Sequence, residues 1–161
     1  MPSTCCVVIH TGTKQTILNQ LDCVLPAKSV NEGVARAIVG AFLLQLDPTL
    51  EDLSDLKCAT SEAVTNAIVH GYRRSENENG RDGEIFLSLA ILPDRVVRVT
   101  VKDKGCGIED VARARTPLFT TDPAGERSGM GFSVMEAFSD RLTVRSRPGK
   151  GTKVTFYKKM K

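Results

Sequence analysis

The chain has 161 residues, 41% hydrophobic and 25% charged, with a formal net charge of +3. That length suits one compact domain, and with no Trp and only 5% aromatics its core should be aliphatic. The charge is too mild to point to direct nucleic-acid binding, and no apolar run is long enough to span a bilayer. The five cysteines form no CxxC, so a disulfide framework is not expected and a cytoplasmic protein is.

Residues 1–18 show no periodicity and read as a flexible N-terminal extension, with Cys5, Cys6 and His10 in it as ordinary terminal residues; residues 19–161 read as a single domain. From Gln20 to Leu25, the alternation of Leu21, Cys23 and Leu25 predicts a strand, closed by Pro26. Ser29-Val30-Asn31-Glu32 has the form of a capping box, with Ser29 as N-cap and Glu32 three residues on. The helix it opens runs to about Gln45, with Val30, Val34, Ile38, Phe42 and Leu43 as its buried stripe. Asp47-Pro48 starts a second helix, Asp47 capping and Pro48 in the first turn. It runs to about His70 and buries Leu50, Leu53, Leu56, Ala63, Val64, Ala67 and Ile68, with Gly71 as its C-cap.

This second helix carries Glu62 and Asn66. A spacing of four residues turns a helix by only about 40° past a full turn, so the two share one face. A carboxylate and an amide aimed at one point suit activation of a nucleophile beside a hard metal ion. Taken alone, the pair is more often a solvated face.

Arg73–Asp82 is polar and reads as a surface loop. Glu84–Ile91 and Arg95–Val101 alternate and are joined by Leu92-Pro93-Asp94, as in an antiparallel hairpin. A glycine-rich break over Asp103–Gly107 precedes a short helical piece near Glu109–Arg115. Thr116–Ser128 lacks periodicity and is a candidate lid. Gly129–Phe138 should be helical, and Arg141–Arg147 and Lys153–Lys158 should be strands around a tight Pro148-Gly149-Lys150-Gly151 turn. Lys158-Lys159-Met160-Lys161 reads as a solvated basic tail. Strands in hairpins and helices in a block predict an α+β fold: a two-layer sandwich of a mixed, mostly antiparallel sheet with helices on one face.

Three further segments can carry chemistry. Asp103 ends a strand, where an acid can accept from a ring amino group, and Gly105 and Gly107 allow close backbone approach. Ser128-Gly129-Met130-Gly131-Phe132 sits at a helix start, where free amides suit an anion. Thr152 follows the last turn and can direct its hydroxyl into a nearby pocket. Each has a bland alternative as a strand-exit turn, a hinge or a hairpin.

In this order, the four segments resemble the N, G1 and G2 boxes of the Bergerat-fold superfamily of gyrase, histidine-kinase and mismatch-repair ATPases. Ser61–Tyr72, Pro117-Leu118-Phe119-Thr120-Thr121 and Arg127–Phe132 resemble more closely the bacterial anti-sigma factor serine kinases, as does Leu46-Asp47-Pro48-Thr49. The likeness covers roughly residues 20–158. It implies binding of ATP or ADP with Mg²⁺ under a lid. By motif position, Asn66 would bind the metal and Glu62 would be the general base. Asp103 would contact the adenine amino group in a pocket shaped by Gly105 and Gly107, with Thr152 supporting that end through water. Thr120, Thr121, Arg127, Ser128, Gly129, Met130, Gly131 and Phe132 would form the lid side, Gly129 and Gly131 exposing amides to phosphate and Arg127 adding charge.

The resemblance also implies partners: a sporulation sigma factor of the sigma F type, an anti-anti-sigma antagonist phosphorylated on serine, and a second copy in a homodimer. Arg36, on the uncrowded face of the first helix, would bind partners. A stress-response-type kinase and a non-catalytic nucleotide-gated module stay open beside this reading. A complete histidine kinase does not fit, because His10 and His70 are the only histidines and neither lies on a preceding helix pair. The chain departs from the family in its first 18 or so residues and in Cys106, which can make ATP binding thiol-sensitive.

Overall fold

The computed structural model describes residues 15–72, 83–116 and 129–161. Strand β1 (Asn19–Pro26) leads to helix α1 (Val30–Leu43) and a 3₁₀ turn, Leu44–Leu46. Helix α2 (Leu50–Asn66) continues into a π turn, Ala67–Gly71. Then follow β2 (Glu84–Leu92), a 3₁₀ turn (Pro93–Arg95), β3 (Val96–Asp103), α3 (Val111–Ala114), α4 (Gly131–Ala137), β4 (Arg141–Arg147) and β5 (Gly151–Lys159). The strands form one five-stranded sheet in the order β1-β2-β3-β5-β4. Every pairing in it is antiparallel, so the sheet is not mixed among the described residues. No described helix is long and apolar enough to cross a membrane.

Period-two alternation puts Ile85, Leu87, Leu89 and Ile91 of β2 on the same face as Val97, Val99 and Val101 of β3, all buried. Cross-strand registers Leu87↔Val101 and Leu89↔Val99 knit this face. It packs beneath Ala35, Val39, Phe42 and Leu43 of α1 and Leu56, Ala59, Ala63 and Val64 of α2. The core is aliphatic apart from Phe42 and Phe156, and the helices lie on one face, as expected.

Several local expectations are corrected. Val30 and Val34 are 73% and 41% exposed, while the expected Phe42 and Leu43 are buried, joined by Ala35 and Val39. The departure is confined to the first turns of the helix, since Ile38 still packs partly buried against the core. Leu50 is 86% exposed, because it lies in the first turn of α2, outside the core. The capping box does not form. Ser29 already has helical backbone angles (φ −54°, ψ −34°) and makes no side-chain cap bond. Glu32 is instead engaged by Ser61 and Arg36.

Asp47 does not cap α2 either. It precedes proline, which disfavours right-handed helical angles, and it sits left-handed at φ 47°. Thr49 is the N-cap, its Oγ1 accepting from the Asp52 amide at 3.1 Å. Gly71 is no left-handed C-cap; Tyr72 ends the π turn at φ −110°. The basic C-terminus is not a solvated tail. Lys158 Nζ lies 2.8 Å from Asp55 Oδ2, Met160 is 2% exposed, and the Lys161 amide donates to buried Asp52 Oδ2 at 3.0 Å. The Arg95 guanidinium donates to the carbonyls of Leu46 (2.9 Å) and Lys161 (2.8 Å), closing that corner. At the other end, the Leu18 amide donates to the Ile91 carbonyl at 2.8 Å.

Candidate functional site

Glu62 and Asn66 lie one turn apart on α2, on the side that meets α4. A Cβ built on Gly131, the first residue of α4, would fall 3.1 Å from Glu62 Oε2, 3.2 Å from Asn66 Nδ2 and 3.4 Å from Asn66 Oδ1. The carboxylate and the amide therefore converge on one point, and glycine keeps that point free of a side chain. Just before it, Gly129 is left-handed (φ 64°), Met130 is 36% exposed, and Phe132 packs partly buried against the core.

The π turn extends α2 from Asn66 towards the end of β3, roughly 7 Å along a helix axis. Gly71 meets Asp103 there: a Cβ on Gly71 would lie 3.1 Å from Asp103 Oδ1. Asp103 is only 4% exposed. Its Oδ1 accepts from the amides of Gly105 (2.9 Å) and Thr152 (3.2 Å). Burial pushes its carboxyl above the usual range, and those two amides pull partly back.

The turn after Asp103 is threaded between two backbones. A Cβ on Gly105 would stand 2.0 Å from the Gly71 carbonyl oxygen, and one on Gly107 2.1 Å from that of Arg147. Gly107 is also left-handed, at φ 73°. The Cys106 amide donates to the Gly71 carbonyl (2.8 Å), and the Cys106 carbonyl accepts from the Gly149 amide (2.7 Å). The exposed Cys106 thiol donates to the His70 carbonyl at 3.0 Å.

Two residues not singled out in the sequence hold this region together. Ser146 Oγ accepts from the Ile108 amide (2.8 Å), donates to the Gly151 carbonyl (3.0 Å) and lies 2.9 Å from Thr152 Oγ1. Its pairing with Thr152 follows from the β4–β5 register. The Tyr72 hydroxyl donates to the Glu84 carbonyl (2.5 Å) and accepts from the Lys104 amide (2.9 Å). It pins the end of α2 to both β2 and β3.

Arg36 lies apart from this cluster. Its Nε pairs with Glu32 Oε1 at 3.0 Å, and 49% of the side chain stays exposed. The same Glu32 oxygen accepts from Ser61, the residue before Glu62. Arg36, Glu32, Ser61 and Thr65 line a groove of about 290 Å³ along α2. Thr120, Thr121, Arg127 and Ser128 lie outside the described residues.

An α2 acid–amide pair, a buried acid ending the central strand β3 and glycine-spaced turns around them define a class of ATPase domain. The profile of the "Histidine kinase-like ATPase domain" family matches residues 25–158. An anti-sigma F factor of Clostridium perfringens (strain SM101 / Type A) is 52% identical over 134 residues, covering 83% of this chain and 91% of its own. One from Clostridium acetobutylicum is 48% identical over 141 residues, covering 88% and 94%. Among solved structures, the RsbU and RsbW domains of a Mycobacterium tuberculosis protein superpose with a TM-score of 0.63 at 22% identity, covering 88% of this chain and 32% of that one. That likeness speaks to the fold. The chain belongs to the histidine kinase-like ATPase family and, within it, to the anti-sigma F factors.

Proposed function

We propose that residues 19–161 form one ATP-binding protein serine kinase that is also an anti-sigma factor. In this reading the chain holds a sigma F-type sporulation sigma factor in its ATP form and phosphorylates a serine on the anti-anti-sigma antagonist. It works in the cytoplasm as a homodimer. The observation that carries the reading is the meeting of Glu62 and Asn66 at Gly131. Relatives named anti-sigma F factor, matched over most of their length, support the choice of partner.

The residues present fit the nucleotide and its metal. Mg²⁺ is commonly held by one or two protein oxygens together with phosphates and water, and Asn66 Oδ1 would be such a donor, leaving the Glu62 carboxylate beside it free to act as base. When bound, Mg²⁺ neutralises phosphate charge. Asp103 accepts the adenine amino group, Gly105 and Gly107 keep that pocket open, and Thr152 supports it. By motif position, Gly129, Met130, Gly131 and Phe132 would face the phosphates, as would Thr120, Thr121, Arg127 and Ser128, which lie outside the described residues. Glu62 takes the proton from the antagonist serine as its oxygen attacks the γ-phosphorus, and ADP leaves. Arg36, held by Glu32, faces the partners.

The test is transfer of label from Mg-ATP to the antagonist. Label on serine that falls at least about a hundredfold in Glu62→Gln, with ATP still bound, is the expected result. ATP-dependent sigma-factor binding with no label in the wild type would mean a gating module without catalysis.

A further inference from the structure

The helix-free face of the sheet carries a row of like charges. Lys102 of β3 stands directly opposite Lys153 of β5, and Lys153 directly opposite Arg145 of β4. All three are exposed. Opposed side chains on paired strands sit about 5 Å apart at Cβ, and like charges there are destabilising. Arg147 and Lys150 lie at the same end, and the five cations border a groove of about 480 Å³. None of the five forms an ion pair among the described residues; the recorded pairs belong to Arg36, Lys104, Arg115, Lys158 and Lys161. The one acid lining the groove, Asp103, has its Oδ1 engaged by the Gly105 and Thr152 amides.

Edge protection accounts for part of this. β4 is an edge strand, and arginines there discourage pairing with another sheet. Lys102 and Lys153 are on the interior strands β3 and β5, where no such protection is needed. A three-strand row of uncompensated cations is a cost to the fold, and an anion from outside the chain would relieve it.

We infer that this row is a docking surface for a short acidic segment of a partner protein. The groove has no aromatic lining residue on which bases could stack, which disfavours single-stranded nucleic acid. Five cations at one end of a sheet fall short of the six to ten or so phosphate contacts typical of strong duplex binding. The groove is separate from the Glu62–Asn66 cluster but shares Asp103 and Thr152 with the proposed adenine end; the charge row of Lys102, Lys153 and Arg145 has no part in the proposed kinase activity.

The probe is a fluorescein-labelled (Asp-Glu)₄ peptide titrated onto the full chain, with a neutral (Asn-Gln)₄ peptide and oligonucleotides, single- and double-stranded, of equal charge as comparators. Saturable binding is expected, weakened about tenfold between 50 and 300 mM salt and at least about tenfold by Lys153→Thr or Lys102→Thr. The same substitutions should hold or raise the thermal midpoint, by roughly 1–3 °C, since they remove a like-charge contact. Peptide binding that is absent, or unchanged in both variants, overturns the inference. A lowered thermal midpoint in both variants overturns it too, by showing that the lysines serve the fold. Tighter binding of either oligonucleotide than of the peptide replaces it with a nucleic-acid surface.

Discussion

Asp103 carries opposite consequences for the free and the ligand-bound protein. Its raised pKa means that the native state keeps this proton to higher pH than the unfolded chain does. Between the two values, stability falls as pH rises, and above them the penalty of a buried charge stays in place. A ligand amino group that donates to the carboxylate relieves that penalty and needs the ionised form. Adenine-nucleotide affinity should therefore drop as pH falls through the raised Asp103 pKa, earlier than for an ordinary carboxylate, and fluorescence titrations over a pH series would follow it. Asp103→Asn can keep the Gly105 and Thr152 amide bonds through Oδ1. It should hold or raise the thermal midpoint while weakening nucleotide binding roughly 10–100-fold, with the acid-side dependence gone.

Two glycines separate a site effect from a fold effect. Gly131→Ala would crowd only the flexible ends of Glu62 and Asn66. Its thermal midpoint should stay within about 2 °C of wild type while phosphotransfer falls at least about tenfold. Gly105→Ala would drive a Cβ into the Gly71 carbonyl, which is backbone and cannot step aside. Denaturant unfolding should show a loss of more than about 2 kcal/mol.

At the scale of elements, helix and strand identity was legible and their ends were not. The alternation in Leu21-Cys23-Leu25 and across Glu84–Ile91 belongs to the strand itself, so it survives in any context. Capping depends on neighbours. Glu32 had the spacing for a capping box, but Ser61 and Arg36 reach it from the tertiary structure and from the next helical turn. The C-terminus misled for a related reason: Lys158 and Lys161 look solvated until Asp55 and Asp52 of α2, about a hundred residues earlier in the chain, meet the Lys158 ammonium and the Lys161 amide. Deleting Met160–Lys161 tests that corner. Among the described residues Asp52 Oδ1 makes no hydrogen bond and only faces Lys158 Nζ at 4.0 Å, and the deletion would strip Oδ2 of its amide donor as well. With buried Met160 also lost, the thermal midpoint should fall by roughly 5–12 °C.

At the scale of the whole molecule, the two-layer plan followed from hairpins and clustered helices, but the strand order did not. Placing β5 between β3 and β4 requires the chain to return after α4 and pair Val99 with Phe156, which local pattern cannot show. The site divides the same way. Glu62 and Asn66 share a face by helical periodicity, so their pairing could be read from spacing alone. Ser146 and Tyr72 act through register and chain closure, and nothing local distinguishes that serine or tyrosine from any other. The Arg36–Glu32–Ser61 chain likewise joins α1 to α2 only in the folded molecule, one residue from Glu62.

In the proposed reading, α2, α4 and the end of β3 together bind Mg-ATP, with Asn66 meeting the metal. Calorimetric titration of ATP with and without Mg²⁺, on wild type and Asn66→Ala, tests it most directly. Mg²⁺ should tighten ATP binding to the wild type at least about tenfold and leave binding to Asn66→Ala unchanged. Absence of ATP binding to the wild type, or full Mg²⁺ dependence in Asn66→Ala, would contradict it.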